Sequence, residues 1–221
     1  MKRGLVAILA SLIPWATAMA GPPDPAPAAA VRADPWASKF LVLGAQLGMG
    51  FPQAFSQLRN FGVYEVEVGY LLPVWGRRIQ IGGMFEYSEP GSGNGKPDPR
   101  LGTAGADYRW DLSQREYVFD FGVLIRAFPP GSRIIPYGRV GFRIYLLETV
   151  INGQAGGSPF GQHNERFTEP GFALGGGVEV RLGPGAFNAE LRVDFSNMNR
   201  KISGDSNTGM LSLVVGYRFF L

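Results

Sequence analysis

The sequence predicts an all-β fold, an eight-stranded antiparallel up-and-down transmembrane β-barrel, on three observations. Apolar residues alternate with polar residues or glycine at a period of two in long runs. The connectors between runs are alternately tight and long. One face of the runs carries no charge through its middle, while the other concentrates carboxylates and arginines.

The chain opens Met1-Lys2-Arg3, continues through an apolar stretch from Leu5 to Trp15 and reaches Ala18-Met19-Ala20. A basic start, a short apolar core and an Ala-x-Ala pattern mark residues 1–20 as an expected secretory signal peptide, cleaved after Ala20. The apolar core falls short of the ~20 residues a spanning helix needs. Residues 21–38 hold Pro22, Pro23, Pro25, Pro27 and Pro35 among alanines. This composition favours extended, solvated chain, so the segment is expected to be a periplasmic linker ahead of a single domain over 39–221.

There is no cysteine, which excludes a disulfide framework and a lipoprotein anchor. The formal net charge is +3. Lys2 and Arg3 contribute two of those charges and the first twenty residues hold no acid, so the exported chain carries +1. With arginines dispersed among acids, nothing points to nucleic acid as a partner.

The alternating runs cover 39–51, 61–73, 77–88, 115–128, 133–150, 169–183, 186–199 and 208–221. Each reaches the ~9 to 11 residues that a tilted strand needs to cross a bilayer, about twice the ordinary soluble strand. Residues 73–76, 129–132 and 183–185 are tight Pro/Gly turns; 52–60, 89–114, 151–168 and 200–207 are expected as longer loops. Short turns on the periplasmic side and long loops outside are the asymmetry of a membrane barrel. Residues 101–111 also alternate. A ninth strand there would demand a tenth within 151–168, so they are expected to extend the second hairpin above the membrane.

The apolar face includes Leu43, Leu47, Val66, Val68, Phe119, Phe121, Val140, Phe142, Phe172, Leu174, Leu191 and Leu213. A charge on a lipid-facing position at midplane costs ~2 to 4 kcal/mol, which accounts for its clean composition. Aromatics gather near both ends of this face, with Phe51, Tyr64, Phe85, Tyr87 and Tyr117 at one rim and Tyr70, Trp75, Phe187, Tyr217 and Phe219 at the other. These are expected as interfacial girdles.

The opposite face holds the acids Glu65, Glu67, Glu86, Glu116, Asp120, Glu179, Glu190 and Asp194. With them stand Arg78, Arg126, Arg139, Arg143, Arg181, Arg192 and Arg218. In a soluble sandwich this face would meet solvent; in a barrel it is the lumen. Near balance of sign and the use of arginine without lysine favour enclosure, because an unpaired buried ion is far costlier than a paired one. Glycines at 44, 48, 50, 69, 82, 122, 141, 175, 177 and 216 share the face. They leave room for long side chains across a barrel just wide enough to be filled.

Together with the leader and the alternation, "PYGRVGFRIYL" at Pro136–Leu146 and the closing "LSLVVGYRFFL" resemble the small OmpA/OmpX-type outer-membrane barrels over residues 39–221. The resemblance implies a bacterial outer-membrane location, lipid around the barrel, the barrel-assembly machinery as a partner in biogenesis, and a monomer. This family usually ends on an aromatic residue, whereas this chain ends Phe219-Phe220-Leu221.

Chemistry-bearing patterns are sparse. The one histidine, His163, sits beside Asn164 and Glu165 in the expected third loop, with Ser158 nearby; a hydrolytic triad needs these groups fixed against each other. Asp98, Asp107 and Asp111 lack calcium-loop spacing, and Gly91, Gly93 and Gly95 precede no helix that could complete a phosphate cradle. No cofactor or metal site is expected, and no enzyme. Two functions remain: a non-enzymatic barrel with a charge-filled, closed lumen and loops for structural or interaction roles, or a narrow conduit for small or hydrophobic molecules.

Overall fold

The computed structural model describes residues 38–52, 58–95, 108–155, 158–196 and 209–221. The expected signal peptide, nearly all of the linker, Asp98 and Asp107 lie outside them. Among the described residues nine strands follow in order: β1 (Leu41–Phe51), β2 (Phe61–Leu71), β3 (Ile79–Ser88), β4 (Gly91–Gly95), β5 (Tyr108–Arg126), β6 (Ile134–Ala155), β7 (Ser158–Leu182), β8 (Gly185–Ser196) and β9 (Met210–Phe220). Every pairing is antiparallel, and β1 joins both β2 and β9. The sheet order β3-β2-β1-β9-β8-β7-β6-β5 closes on itself through a β3–β5 pairing, making an eight-stranded barrel.

The ninth strand does not enlarge the barrel. Ser88 pairs with Glu116 and Gly91 with Ser113, so β4 continues β3 in the same register along β5. The break between them contains Pro90, which has no N–H to give the ladder, although its carbonyl still accepts from the Gln114 amide at 3.0 Å.

Period-two alternation sets the two faces. Leu47, Phe121, Val140 and Phe172 point outward and are each at least half exposed. They belong to an apolar belt far larger than an ordinary soluble surface tolerates. The even-numbered residues of β1, β3, β5, β8 and β9 and the odd-numbered ones of β2 and β6 point inward and are mostly buried.

At the turn end, three connections are short. The β2–β3 turn passes through Trp75, Gly76 and Arg77 with φ of 49°, 65° and 58°. Only glycine takes that left-handed conformation without cost. Here the Arg77 guanidinium donates back to the Lys39 carbonyl, tying the turn to the chain that enters β1.

The loop end departs from expectation. Residues 91–95, 112–114, 151–155 and 158–168, expected in long loops, are strand, and β5, β6 and β7 run to 19, 22 and 25 residues. His163 and Ser158 therefore lie on β7 and Gly91–Gly95 form β4. Glycine, proline and polar side chains at these positions signal a loop, but above the membrane an outward position needs no apolar residue. The backbone ladder continues from the barrel wall with one register shift, between Asn152 and Gln154. Residues 108–111 extend β5 in the way expected of the second hairpin, and 101–107 lie outside the described residues.

Candidate functional site

Each strand carries its inward side chains at alternate positions, so the barrel wall gathers charges from seven strands into one enclosed column. All eight acids named from the sequence, Glu65, Glu67, Glu86, Glu116, Asp120, Glu179, Glu190 and Asp194, are buried. Of the arginines, Arg126, Arg139, Arg143, Arg192 and Arg218 are buried with them. Arg78 and Arg181 are only half-buried, at the turn-end rim. There Arg78 lies 5.6 Å over the Trp75 ring and Arg181 4.5 Å over Phe220.

The column has three levels. Nearest the turns, Arg126 grips Glu179 through two hydrogen bonds of 2.8 Å and also donates to Gln80. Arg218 bridges Glu179 at 3.0 Å and Glu67 at 2.7 Å. Glu67 further accepts from Gln46 and Gln80. In the middle, Arg139 donates to Asp120 at 2.7 Å, and the Tyr137 hydroxyl donates to Glu190 at 3.0 Å. Toward the loops, Arg192 reaches Glu65 and Glu86, Arg143 reaches Glu86, and Asp194 lies 2.9 Å from Arg143 and 3.3 Å from Arg192. Glu116 accepts from Ser88 and Gln114.

Eight buried acids thus meet five buried arginines, with neutral donors making up part of the difference. Gln46, Gln80, Gln114, Ser88 and Tyr137 were missed in the sequence because each is an unremarkable residue. Their signal was parity, since all fall on the inward positions of their strands.

Apolar side chains cluster toward both ends of the column. Val42, Leu71, Ala186 and Phe220 cluster at the turn end. Phe61, Val63, Met210 and Val214 form a second cluster toward the loop end of β2 and β9, and Val118, Tyr145 and Leu147 form a third on β5 and β6. The glycines make room for this filling. A Cβ on Gly141 would fall 2.5 Å from an Asp120 carboxylate oxygen, and one on Gly175 2.8 Å from Glu190.

Among the described residues, no group of three or more His, Cys, Asp or Glu side chains is placed to hold a metal ion. The inward carboxylates are held by arginines, glutamines and hydroxyls.

A family model described as "Outer membrane protein beta-barrel domain" matches residues 25–219. No curated protein sequence matches this chain. Among solved structures, a major outer membrane protein of Thermus thermophilus is 15% identical with a TM-score of 0.51, covering 82% of this chain and 99% of its own. The N-terminal β-barrel domain of Pseudomonas aeruginosa OprF is 15% identical with a TM-score of 0.41, covering 82% and 98%. Yersinia pestis Ail is 15% identical with a TM-score of 0.42, covering 82% and 97%.

Proposed function

The chain belongs to the outer membrane protein beta-barrel domain family, and from that premise we propose that it is a non-enzymatic barrel whose filled lumen conducts nothing and whose outer strands and loops do its work. The family and its structural neighbours place it in the bacterial outer membrane. In such barrels the short turns face the periplasm and the longer connections face outside. The termini of this barrel then lie on the periplasmic side, and the long β5–β7 hairpins rise from the outer surface. Residues 1–20 are the export signal and are removed, 21–38 form a periplasmic linker, and the barrel assembles as a monomer with the barrel-assembly machinery.

One observation carries the closed-lumen reading: Arg126, Arg143, Arg192 and Arg218 are each at most 1% exposed and each pairs with a carboxylate on another strand. An eight-stranded barrel has an interior that side chains can fill. The structural role of the network is to hold that wall from within.

Planar-bilayer recording of folded protein tests the reading. The expected result is no stable conductance above the leak of the bilayer. Large, long-lived single-channel currents would overturn it in favour of a conduit.

A further inference from the structure

Among the described strands, consecutive members of the barrel wall pair through the connections between them, and β3 reaches β5 by way of β4. β1 and β9 meet with no connection of their own. A pairing so distant in sequence has no turn to hold it and carries the largest loop-closure cost. What fastens this seam is visible on its lumen side.

Turnward, Arg218 and Asn188 cross the seam, each over a glycine. Gly44 of β1 is the register partner of both Glu67 on β2 and Arg218 on β9. The Arg218 side chain passes over it, and Nε donates to Glu67 Oε2 at 2.7 Å. A Cβ on Gly44 would lie 3.2 Å from that oxygen and 3.4 Å from Arg218 Cγ. In the same way Gly216 of β9 is the partner of both Gln46 on β1 and Asn188 on β8. Over it, Asn188 Nδ2 donates to Gln46 Oε1 at 3.0 Å. Gln46 Nε2 donates in turn to the same Glu67 Oε2 at 3.0 Å.

Two straps therefore run in opposite directions and end on one carboxylate oxygen. Arg218 starts on β9 and passes β1; Asn188 starts on β8 and passes β9. Parting β1 from β9 breaks both together. Arg218 is anchored behind the seam as well, where Nη1 donates to Glu179 on β7 at 3.0 Å. Among the described residues it is the only charged inward side chain on either seam strand. Arg218, Asn188, Gln46 and Glu67 are all buried, where a hydrogen bond to a carboxylate is stronger than in water. Nearer the loops, Arg192 of β8 crosses the same line to Glu65 on β2.

We propose that Arg218 and Asn188 are a latch on the β1–β9 seam, and that releasing it makes this seam the line along which the barrel opens sideways. The other strand pairs keep their connections when a strap is lost, whereas this pair keeps only its backbone ladder. The latch rests on the closed-lumen reading, because straps exposed to water would hold little.

The test is hydrogen exchange read by mass spectrometry on the full folded barrel in lipid vesicles, which reports local opening strand by strand. R218Q is expected to speed exchange of the β1 and β9 amides about tenfold or more, while β5 and β6 change by less than about threefold. R126Q is the matched control. Arg126 also holds Glu179, through two hydrogen bonds, but it joins β5 to β7 and reaches β3, away from the seam. Its effect is expected on β5 and β7, with β1 and β9 unchanged. N188A strands no charge and is expected to speed the two seam strands about threefold, so it carries the test if R218Q does not fold. Leu47 and Val215 are partners across the seam on the outward face, and the chain has no cysteine of its own. Oxidised L47C/V215C is expected to return β1 and β9 exchange in R218Q to the wild-type rate. Uniform speeding over all strands, seam speeding of equal size in R126Q, or no rescue by the disulfide would each overturn the latch. Conductance of the wild type tests the enclosed lumen separately, and a non-conducting barrel with uniform exchange sinks the latch alone.

Discussion

Glu65 on β2 and Glu86 on β3 sit directly opposite each other across the strand pair, and both accept from the same nitrogen, Nη2 of Arg192. Like charges facing each other across a strand pair repel. The pairing is tolerable because one guanidinium from β8 reaches both, and because Arg143 donates to the same Glu86 oxygen that Arg192 reaches.

Removing that guanidinium leaves two adjacent carboxylates buried without their shared partner. R192Q is expected to lower stability by about 3 to 5 kcal/mol in urea titrations of the folded barrel, against about 0 to 1 kcal/mol for R115Q on the outer surface. Equal costs would mean that the inward face is solvated.

The glycines that admit the network make a second prediction. A Cβ on Gly48 would lie 2.2 Å from the Leu213 carbonyl and 2.6 Å from a Val214 methyl, so G48A is expected to cost about 1 to 3 kcal/mol by overpacking. At outward Gly83 the nearest atoms are 3.6 Å away or more, and G83A is expected to be neutral or to stabilise by up to about 1 kcal/mol. The same urea titrations rank the two.

The belt predicts a depth profile. Arginine at Phe121 or Val140, in the middle of the outward face, is expected to cost about 2 to 4 kcal/mol in folding into lipid vesicles. At Leu182, beside the β7–β8 turn, the cost falls to about 0 to 1 kcal/mol. A flat profile would contradict a lipid-facing belt.

Above the membrane, the Arg166 hydrogen bonds to Glu148 hold its carboxyl below the usual carboxylate range. The folded-state value is depressed, so the pairing is present at neutral pH and is lost as pH falls through that lowered value. Site-resolved NMR titration is expected to show the Glu148 midpoint moving up toward the ordinary range in R166Q. An unmoved midpoint would show that the pair does not form in solution.

Much of this molecule was legible in the residues alone because strand parity is a local property. A period of two along β2 places Glu65 and Glu67 on one face and Val66 and Val68 on the other whatever the rest of the chain does. The same rule identified all eight buried acids and the apolar belt. The family resemblance added the outer-membrane setting.

Only the tertiary structure decided which charges meet and how far each strand runs. Arg218 finds Glu67 from 151 residues away, and Arg126 finds Glu179 from 53, because the stagger of the closed barrel determines which inward positions share a level. That stagger is a property of all eight strands together and is written in no single one. It also divides the seven arginines into five that are buried and two, Arg78 and Arg181, that remain at the rim. Strand length above the membrane escaped the sequence for the complementary reason: once neither face must be apolar, alternation fades, while the backbone hydrogen bonds that extend β5, β6 and β7 persist.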